Sequence, residues 1–217
     1  MSKVVRSPAN MAKIAGLCLG LLLAVGNLST AKAALSPVPE SNVRSFYDTL
    51  LITMKSGPTL GERGRYAQLA PIVQQLFDVP YMAQLAVGPS WASLSPAQRQ
   101  QVTYAFGHYI AATYADRFGS YSGEQLQVLG ERPLSYGTLV QTRIIQSDGQ
   151  PVTINYLMHQ KDGTWQVADI YLDGTISQLA TQRSEFSSIL RDRGVSGLIS
   201  ALNRKVDLLT RSASGSS

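Results

Sequence analysis

The 217-residue sequence has almost none of the residues on which disulfide and metal sites depend. Its single cysteine, Cys18, lies in an apolar N-terminal run, and its two histidines, His108 and His159, are far apart in the sequence. A disulfide needs two cysteines, and a structural zinc site needs four ligands that are mostly Cys and His. We therefore expect no disulfide and no metal site, and we interpret each lone histidine as a structural hydrogen-bonding residue.

Motifs that bind nucleotides or activate a nucleophile are missing as well. The chain contains neither a P-loop nor a G-x-G-x-x-G segment. The segment "GSYSG" at 119–123 resembles a nucleophile elbow, but Tyr121 stands where the G-x-S-x-G pattern needs serine. These absences predict a protein without a cofactor and without a catalytic centre of a common type.

The N-terminus has the three parts of a cleavable signal peptide, predicted at residues 1–33. A basic segment precedes the uncharged apolar run from Ile14 to Leu28, and an A-x-A site follows at Ala31–Ala33. The apolar run is shorter than the ~20 residues that a membrane span needs. Leu17 also stands where a lipoprotein signal before Cys18 would need Gly or Ala. We expect export and cleavage just before Ala34.

Cleavage at this site changes what the charge of the chain implies. The whole sequence has a formal net charge of +5, from 19 basic and 14 acidic residues. Four of the basic residues and none of the acidic ones precede Ala34, which leaves 15 against 14, a net charge of +1. The mature protein therefore has no excess of positive charge that would predict nucleic-acid binding. Its 184 residues suit one domain, predicted at 34–210, followed by a solvated tail at 211–217.

The first half of the mature chain has helical spacing of its apolar residues. The segments 43–54, 65–77 and 78–88 each predict a helix; Pro71 kinks or restarts the second, and Asp78 caps the third. The segment "SPAQ" from Ser95 to Gln98 is a capping box, and the helix that it begins is predicted to end near Phe118.

After Gly123 the apolar period changes from 3.6 to 2. Four strands are predicted at 125–132, 138–146, 151–160 and 164–172, and Asp-Gly pairs separate the last three strands as in tight hairpins. Two helices follow, with a break at Gly194. The fold class is therefore α+β, with a curved antiparallel four-stranded sheet packed on N-terminal helices and two C-terminal helices. Such a twisted sheet leaves a conical hollow against its helices.

Asp169 is the best catalytic candidate, because it is an acid in the middle of an apolar strand. Alternation places it on one face with Trp165, Val167 and Tyr171. An Asp beside a Tyr in a conical cavity could serve an isomerase as carboxylate base and phenolic oxyanion donor. Alternatively, Asp169 pairs with an arginine or accepts backbone N–H groups. We favour this structural interpretation, because spacing places no second polar group beside Asp169.

The aromatic content suits either a core or an apolar pocket. Ten tyrosines and two tryptophans offer apolar bodies with polar tips, as a pocket for an amphiphile requires. One sheet face and one helical face are predicted to line such a pocket. The residues predicted to line this pocket, and so to bind its ligand, are Tyr81, Leu85, Phe106, Ile110, Val152, Ile154, Tyr156 and Met158.

The stretch "DGTWQVADIYLDGTISQLATQRSEFSSILRDRGVSGLISAL" at 162–202 and the segment 86–118 resemble the MlaC/toluene-tolerance family of periplasmic lipid carriers, and the resemblance covers nearly the whole mature chain. The family ends on a W-x-V-x-D strand, an acidic-Gly turn, an R-S-x-F helix and a G-x-x-G-L segment. The matching residues are Trp165, Val167, Asp169, Asp173, Gly174, Arg183, Ser184, Phe186, Gly194, Gly197 and Leu198. The segment 86–118 matches the family's Gly loop, its T/S-P-x-Q-R helix start and its F-x-x-Y spacing. The family usually has G-V-S after the strand, whereas this chain has Gly174-Thr175-Ile176-Ser177, which is closer to the hopanoid-associated HpnM branch.

The resemblance implies a non-enzymatic carrier. It implies an NTF2-like sheet whose mouth is crossed by a helix, a periplasmic location, and a hopanoid or phospholipid ligand. It also implies an inner-membrane lipid transporter of ABC or RND type and an outer-membrane acceptor as partners. Two alternatives remain open at this point: an isomerase or lipid-modifying enzyme that uses Asp169, and a scaffold subunit of hopanoid biosynthesis.

Overall fold

A computed structural model describes residues 38–211 of the chain. The predicted signal peptide and residues 212–217 of the predicted tail lie outside the described residues. The described elements are α1 (Pro39–Lys55), α2 (Gly57–Leu76), α3 (Val79–Val87), a 3-10 helix (Gly88–Ser93), α4 (Pro96–Arg117), β1 (Gln125–Leu134), β2 (Gly137–Ile145), β3 (Pro151–Lys161), β4 (Thr164–Leu172), β5 (Ile176–Ser177) and α5 (Gln178–Thr210).

The strands form one antiparallel sheet in the order β1-β2-β3-β4-β5. This meander, covered by helices, confirms the predicted α+β fold. The four predicted strands are present, and the two-residue β5 is an addition that the alternation of apolar residues did not show. Asp162 (φ 49°) and Gly163 (φ 78°) supply the positive φ angles of a tight hairpin between β3 and β4.

Side-chain caps begin α3 and α4 where the sequence predicts them. The Ser95 hydroxyl accepts from the Gln98 backbone N–H at 3.2 Å, and the Gln98 side chain accepts from the Ser95 N–H at 2.9 Å. The Asp78 carboxylate accepts from the Tyr81 N–H at 3.3 Å at the start of α3. These bonds satisfy N–H groups that have no partner within the helix, so they define the first turn locally.

The helices break at glycines rather than at Pro71. Pro71 lies inside α2, whose non-helical backbone is at Gly61 instead (φ 61°). Leu69 and Val73, on either side of Pro71, are completely buried, and their packing keeps this part of α2 in place despite the missing N–H. In α5 the non-helical residue is Gly194 (φ 63°), so the two predicted C-terminal helices are two arms of α5, 178–193 and 195–210.

A β-bulge interrupts the alternation of β4. Leu157 pairs with Asp169 and Met158 pairs with Val167, so Ala168 is an extra residue with no partner on β3. The predicted common face of Trp165, Val167 and Asp169 is therefore wrong. Ala168 shifts the alternation by one residue, and Asp169 turns away from the face on which Val167 is buried.

An aromatic cluster fills the space between the sheet and the helices at one end of the sheet. The fully buried Phe46 of α1 lies edge-on to Tyr114 (ring centroids 5.1 Å apart), Phe77 (5.6 Å) and Tyr156 (6.3 Å). Such pairs stabilise the fold beyond the area that they bury. The cluster thus connects α1, the end of α2, α4 and β3.

Replacement of Phe46 by alanine should lower the free energy of unfolding by about 3–5 kcal/mol, because it leaves a cavity between four elements. Ile52→Ala is the matched control on the same helix, since the Ile52 side chain is exposed. Urea denaturation of the wild type and both variants measures the two differences. Equal losses would contradict a central role for Phe46.

Candidate functional site

The sheet and the helices enclose a cavity of about 250 Å³ next to the aromatic cluster. Helix α4 forms one wall, β3 and β4 form the opposite wall, and the first turns of α5 close it. Its lining is mostly apolar and consists of Met82, Phe106, Tyr109, Ile110, Thr113, Tyr114, Arg117, Phe118, Val152, Ile154, Ile170, Leu172, Gln178, Leu179 and Gln182.

Helical spacing produces the long wall of this cavity. Phe106, Ile110, Thr113 and Arg117 recur at intervals of three or four residues and all line the cavity. They span the twelve residues 106–117, whose eleven steps correspond to about 17 Å of helix at ~1.5 Å per residue. The wall is therefore elongated, aromatic at its first residue and charged at its last.

The start of α5 is held over the cavity by Asp169. The carboxylate oxygen Oδ1 of Asp169 accepts from the Ile170 N–H at 2.7 Å and from the Leu179 N–H at 3.2 Å. Oδ2 accepts from the Ser177 hydroxyl at 2.6 Å, and the Ser177 oxygen in turn accepts from the Ala180 N–H at 3.0 Å. These bonds satisfy a carboxylate that is 7% exposed and bring Leu179 over the cavity.

The same geometry bears on the hypothesis of an Asp169 base. Ile170 and Leu172 line the cavity, whereas Asp169, which directly precedes Ile170 on the strand, lies on the other face. Its carboxylate is engaged by two backbone N–H groups and a hydroxyl. The structure thus gives Asp169 the structural role and places no carboxylate of the described residues in the cavity lining.

The eight predicted lipid-binding residues fall into two groups. Phe106, Ile110, Val152 and Ile154 line the cavity. Tyr156, Met158, Tyr81 and Leu85 lie outside its lining.

The reasons for the four displaced residues differ between strand and helix. Tyr156 and Met158 are on the predicted sheet face but are fully buried in the core, and the rings of Phe46 and Tyr47 from α1 fill the space in front of Tyr156. On α3 the neighbouring Met82 lines the cavity. Tyr81 and Leu85, one turn apart, are 38% and 40% exposed, because the turn of about 100° per residue places both opposite the buried face of α3, which contains Met82, Ala83 and Ala86.

Several lining residues were missed by the sequence prediction. Thr113 and Arg117 continue the spacing of Phe106 and Ile110, so the helical period could have identified them. Regular alternation along β4 places Ile170 and Leu172 on the face opposite to Val167, because it does not include the bulge at Ala168. Gln178, Leu179 and Gln182 reach the cavity because of the Asp169 bonds, for which the sequence has no local pattern.

A network of buried hydroxyl groups lies beside the cavity and reaches it at Tyr114. The Tyr114 and Tyr156 hydroxyls are 3.4 Å apart, and the Tyr47 hydroxyl is 2.6 Å from that of Thr142. Burial raises the pKa of Tyr47, Tyr114 and Tyr156 above the ordinary value. All three phenols therefore stay neutral at physiological pH, so the hydroxyl network itself adds no charge to the cavity.

The two histidines serve different contacts, as their separation in sequence suggests. His159 Nε2 lies 3.0 Å from an oxygen of the buried Asp78, whose other oxygen accepts from Lys161 Nζ at 2.9 Å. His108 Nδ1 contacts the Tyr66 hydroxyl.

Among residues 38–211 no group of three or more His, Cys, Asp or Glu side chains is arranged to hold a metal ion. In the same range no helix is both long and apolar enough to cross a membrane.

Comparisons with known proteins agree with this architecture. A family model described as "MlaC protein" matches residues 44–204. A solved structure of a phospholipid-binding protein from Ralstonia solanacearum, in complex with a phospholipid, has a TM-score of 0.66 to this chain at 24% sequence identity. The match covers 80% of this chain and 99% of that protein, so the two share their fold over nearly all of the smaller chain.

The role of Asp169 in holding α5 leads to a stability prediction. Asp169→Ala should lower the free energy of unfolding by at least about 2 kcal/mol, because hydrogen bonds to a buried charged group are lost and two N–H groups lose their acceptor. Asp48→Ala, in the middle of α1, is the control, since Asp48 is exposed. Thermal and urea unfolding measure both effects. An Asp169→Ala protein as stable as the wild type would contradict this role.

Proposed function

The chain belongs to the MlaC family, and we propose that it is a periplasmic carrier that binds a membrane lipid and moves it between the inner and outer membranes. The observation that carries the proposal is the elongated apolar cavity between α4 and the sheet. Such a carrier needs no reacting group, because it only has to keep apolar surface away from water while the lipid crosses an aqueous compartment.

Burial of acyl chains supplies the energy for this function. Each methylene group removed from water contributes about 0.8 kcal/mol, so a dozen contribute about 10 kcal/mol before the costs of association and ordering. The lining offers aromatic and aliphatic side chains on every wall, including Phe106, Ile154 and Leu179. The neutral tyrosines beside the cavity add no charge that would oppose an acyl chain.

The size of the cavity indicates that its walls separate when lipid enters. A methylene group is about as large as a water molecule, whose share of liquid volume is about 30 Å³. A cavity of about 250 Å³ therefore holds part of one acyl chain and not a complete two-chain lipid. The arm of α5 from 178 to 193 ends at the non-helical Gly194 and closes the cavity, so we infer that this arm moves outward.

Two cargo classes follow from two different observations. The similar protein from Ralstonia solanacearum is described as phospholipid-binding, which supports a phospholipid. The segment Gly174-Thr175-Ile176-Ser177 resembles the hopanoid-associated HpnM branch, which supports a hopanoid. We propose a phospholipid as the first candidate, with an inner-membrane transporter of ABC or RND type as donor or receiver and an outer-membrane acceptor. The enzyme hypothesis loses its support, because Asp169 faces away from the cavity.

Native mass spectrometry combined with lipid extraction tests the carrier. The full chain is expressed in a hopanoid-producing host and purified from the periplasm without detergent. We expect a polypeptide that begins at Ala34 with a lipid that is lost on denaturation, and the lipid mass distinguishes phospholipid from hopanoid. A protein retained in the cytoplasm with residues 1–33 intact would contradict the periplasmic location.

A matched pair of variants connects the lipid to the cavity. Val152→Trp should abolish co-purification, because the larger side chain occupies cavity volume at a half-buried position of the lining. Leu129→Trp, at an exposed position on β1, should retain the lipid. Wild-type protein without any lipid, or equal retention by both variants, would contradict the proposal.

A further inference from the structure

One charged side chain lines the otherwise uncharged and mostly apolar cavity. Arg117 is the last residue of α4 and the only Asp, Glu, Lys or Arg of the lining. It is exposed at one end of the α4 wall, whereas Phe106, at the other end, is buried. The cavity is thus apolar along its length and cationic at one end, which is the polarity of a lipid with an anionic headgroup.

Arg117 forms no salt bridge among the described residues. A basic residue in the last turn of a helix also complements the negative end of the helix dipole, and this accounts for the presence of a cation. The dipole does not account for a guanidinium that borders the cavity. Burial is the main reason why the pKa of Tyr114 is raised, and the charge of Arg117 partly opposes this rise, so that charge acts on the cavity wall.

Two amide side chains extend from α5 toward the same cavity. Gln178 and Gln182 are one turn apart at the start of this helix and both line the cavity. The Gln182 side-chain oxygen is buried and has no hydrogen-bond partner in the described part of the chain. A buried acceptor without a partner is unfavourable, and an amide can turn to present either its oxygen or its N–H₂ group. Gln182 is therefore able to bond a polar group that enters beside it.

We propose that Arg117, together with Gln178 and Gln182, binds the phosphate-bearing headgroup of the cargo lipid at the end of the cavity where Arg117 is exposed. The inference deepens the proposed carrier function and rests on it. A phosphate accepts charge-assisted hydrogen bonds from a guanidinium. The two amides can form hydrogen bonds with the ester or hydroxyl groups next to the phosphate. The carrier consequently prefers anionic phospholipids to neutral lipids with the same acyl chains.

The test separates the headgroup from the acyl chains. Dissociation constants are measured for phosphatidylglycerol and for diacylglycerol with identical acyl chains, using the delipidated protein that begins at Ala34. The readout is the preference, the ratio of the two constants, so that a general change in the cavity cancels. The proteins compared are the wild type, Arg117→Gln, Arg117→Lys and Arg63→Gln.

We expect Arg117→Gln to reduce the preference for phosphatidylglycerol about tenfold, which is the effect of one partly solvent-exposed charge-assisted contact. Arg117→Lys should keep part of the preference, because it keeps the charge but loses the planar two-donor geometry. Arg63→Gln removes the same charge from an exposed position of α2 outside the cavity and should leave the preference unchanged.

The possible outcomes are distinct. An unchanged preference in Arg117→Gln, or an equal loss in Arg63→Gln, would overturn the headgroup assignment while the carrier function stands. Wild-type protein that binds neither lipid would overturn the carrier function itself. Excess inorganic phosphate should not displace phosphatidylglycerol; displacement through Arg117 would make the site a free-anion site instead.

Discussion

The position of helix α5 depends on one buried carboxylate. Asp169 accepts from a backbone N–H of its own strand, from a backbone N–H of α5 and from the hydroxyl that caps α5. A carboxylate with three donors at hydrogen-bonding distance is well satisfied in a buried place, and removing it would leave those donors without an acceptor. Through this group the end of β4 determines where Leu179 lies, and so whether the cavity is closed.

The bulge at Ala168 is what makes this arrangement compatible with an apolar cavity. Without the extra residue, alternation would turn Asp169 toward the face of Val167, where a carboxylate would meet the lining. With it, the apolar Ile170 and Leu172 face the cavity and the carboxylate faces the start of α5. An acid that looks catalytic in the sequence is therefore a structural residue that shapes a binding site.

The space between the sheet and the helices is filled at one end and hollow at the other. Phe46 and its aromatic neighbours occupy the first end, and the cavity lies beside them. Dense packing gives the fold its stability, and the hollow end gives it room for a ligand. Tyr114 belongs to both the aromatic cluster and the cavity wall, since its ring contacts Phe46 and it also lines the cavity. This one side chain therefore separates the packed core from the site.

Short-range patterns determined much of this protein from the sequence alone. The caps at Asp78 and Ser95, the Asp-Gly hairpin at 162–163 and the break at Gly194 each depend on a few neighbouring residues, and the structure has all of them. Only the tertiary structure decided which apolar positions are core and which border a cavity. Tyr156 and Ile154 share a strand face. Phe46 and Tyr47, from a helix far away in the sequence, fill the space in front of Tyr156 but leave the space in front of Ile154 open. Such filling depends on side-chain volumes brought together by the whole fold, and no local period of the sequence contains that information.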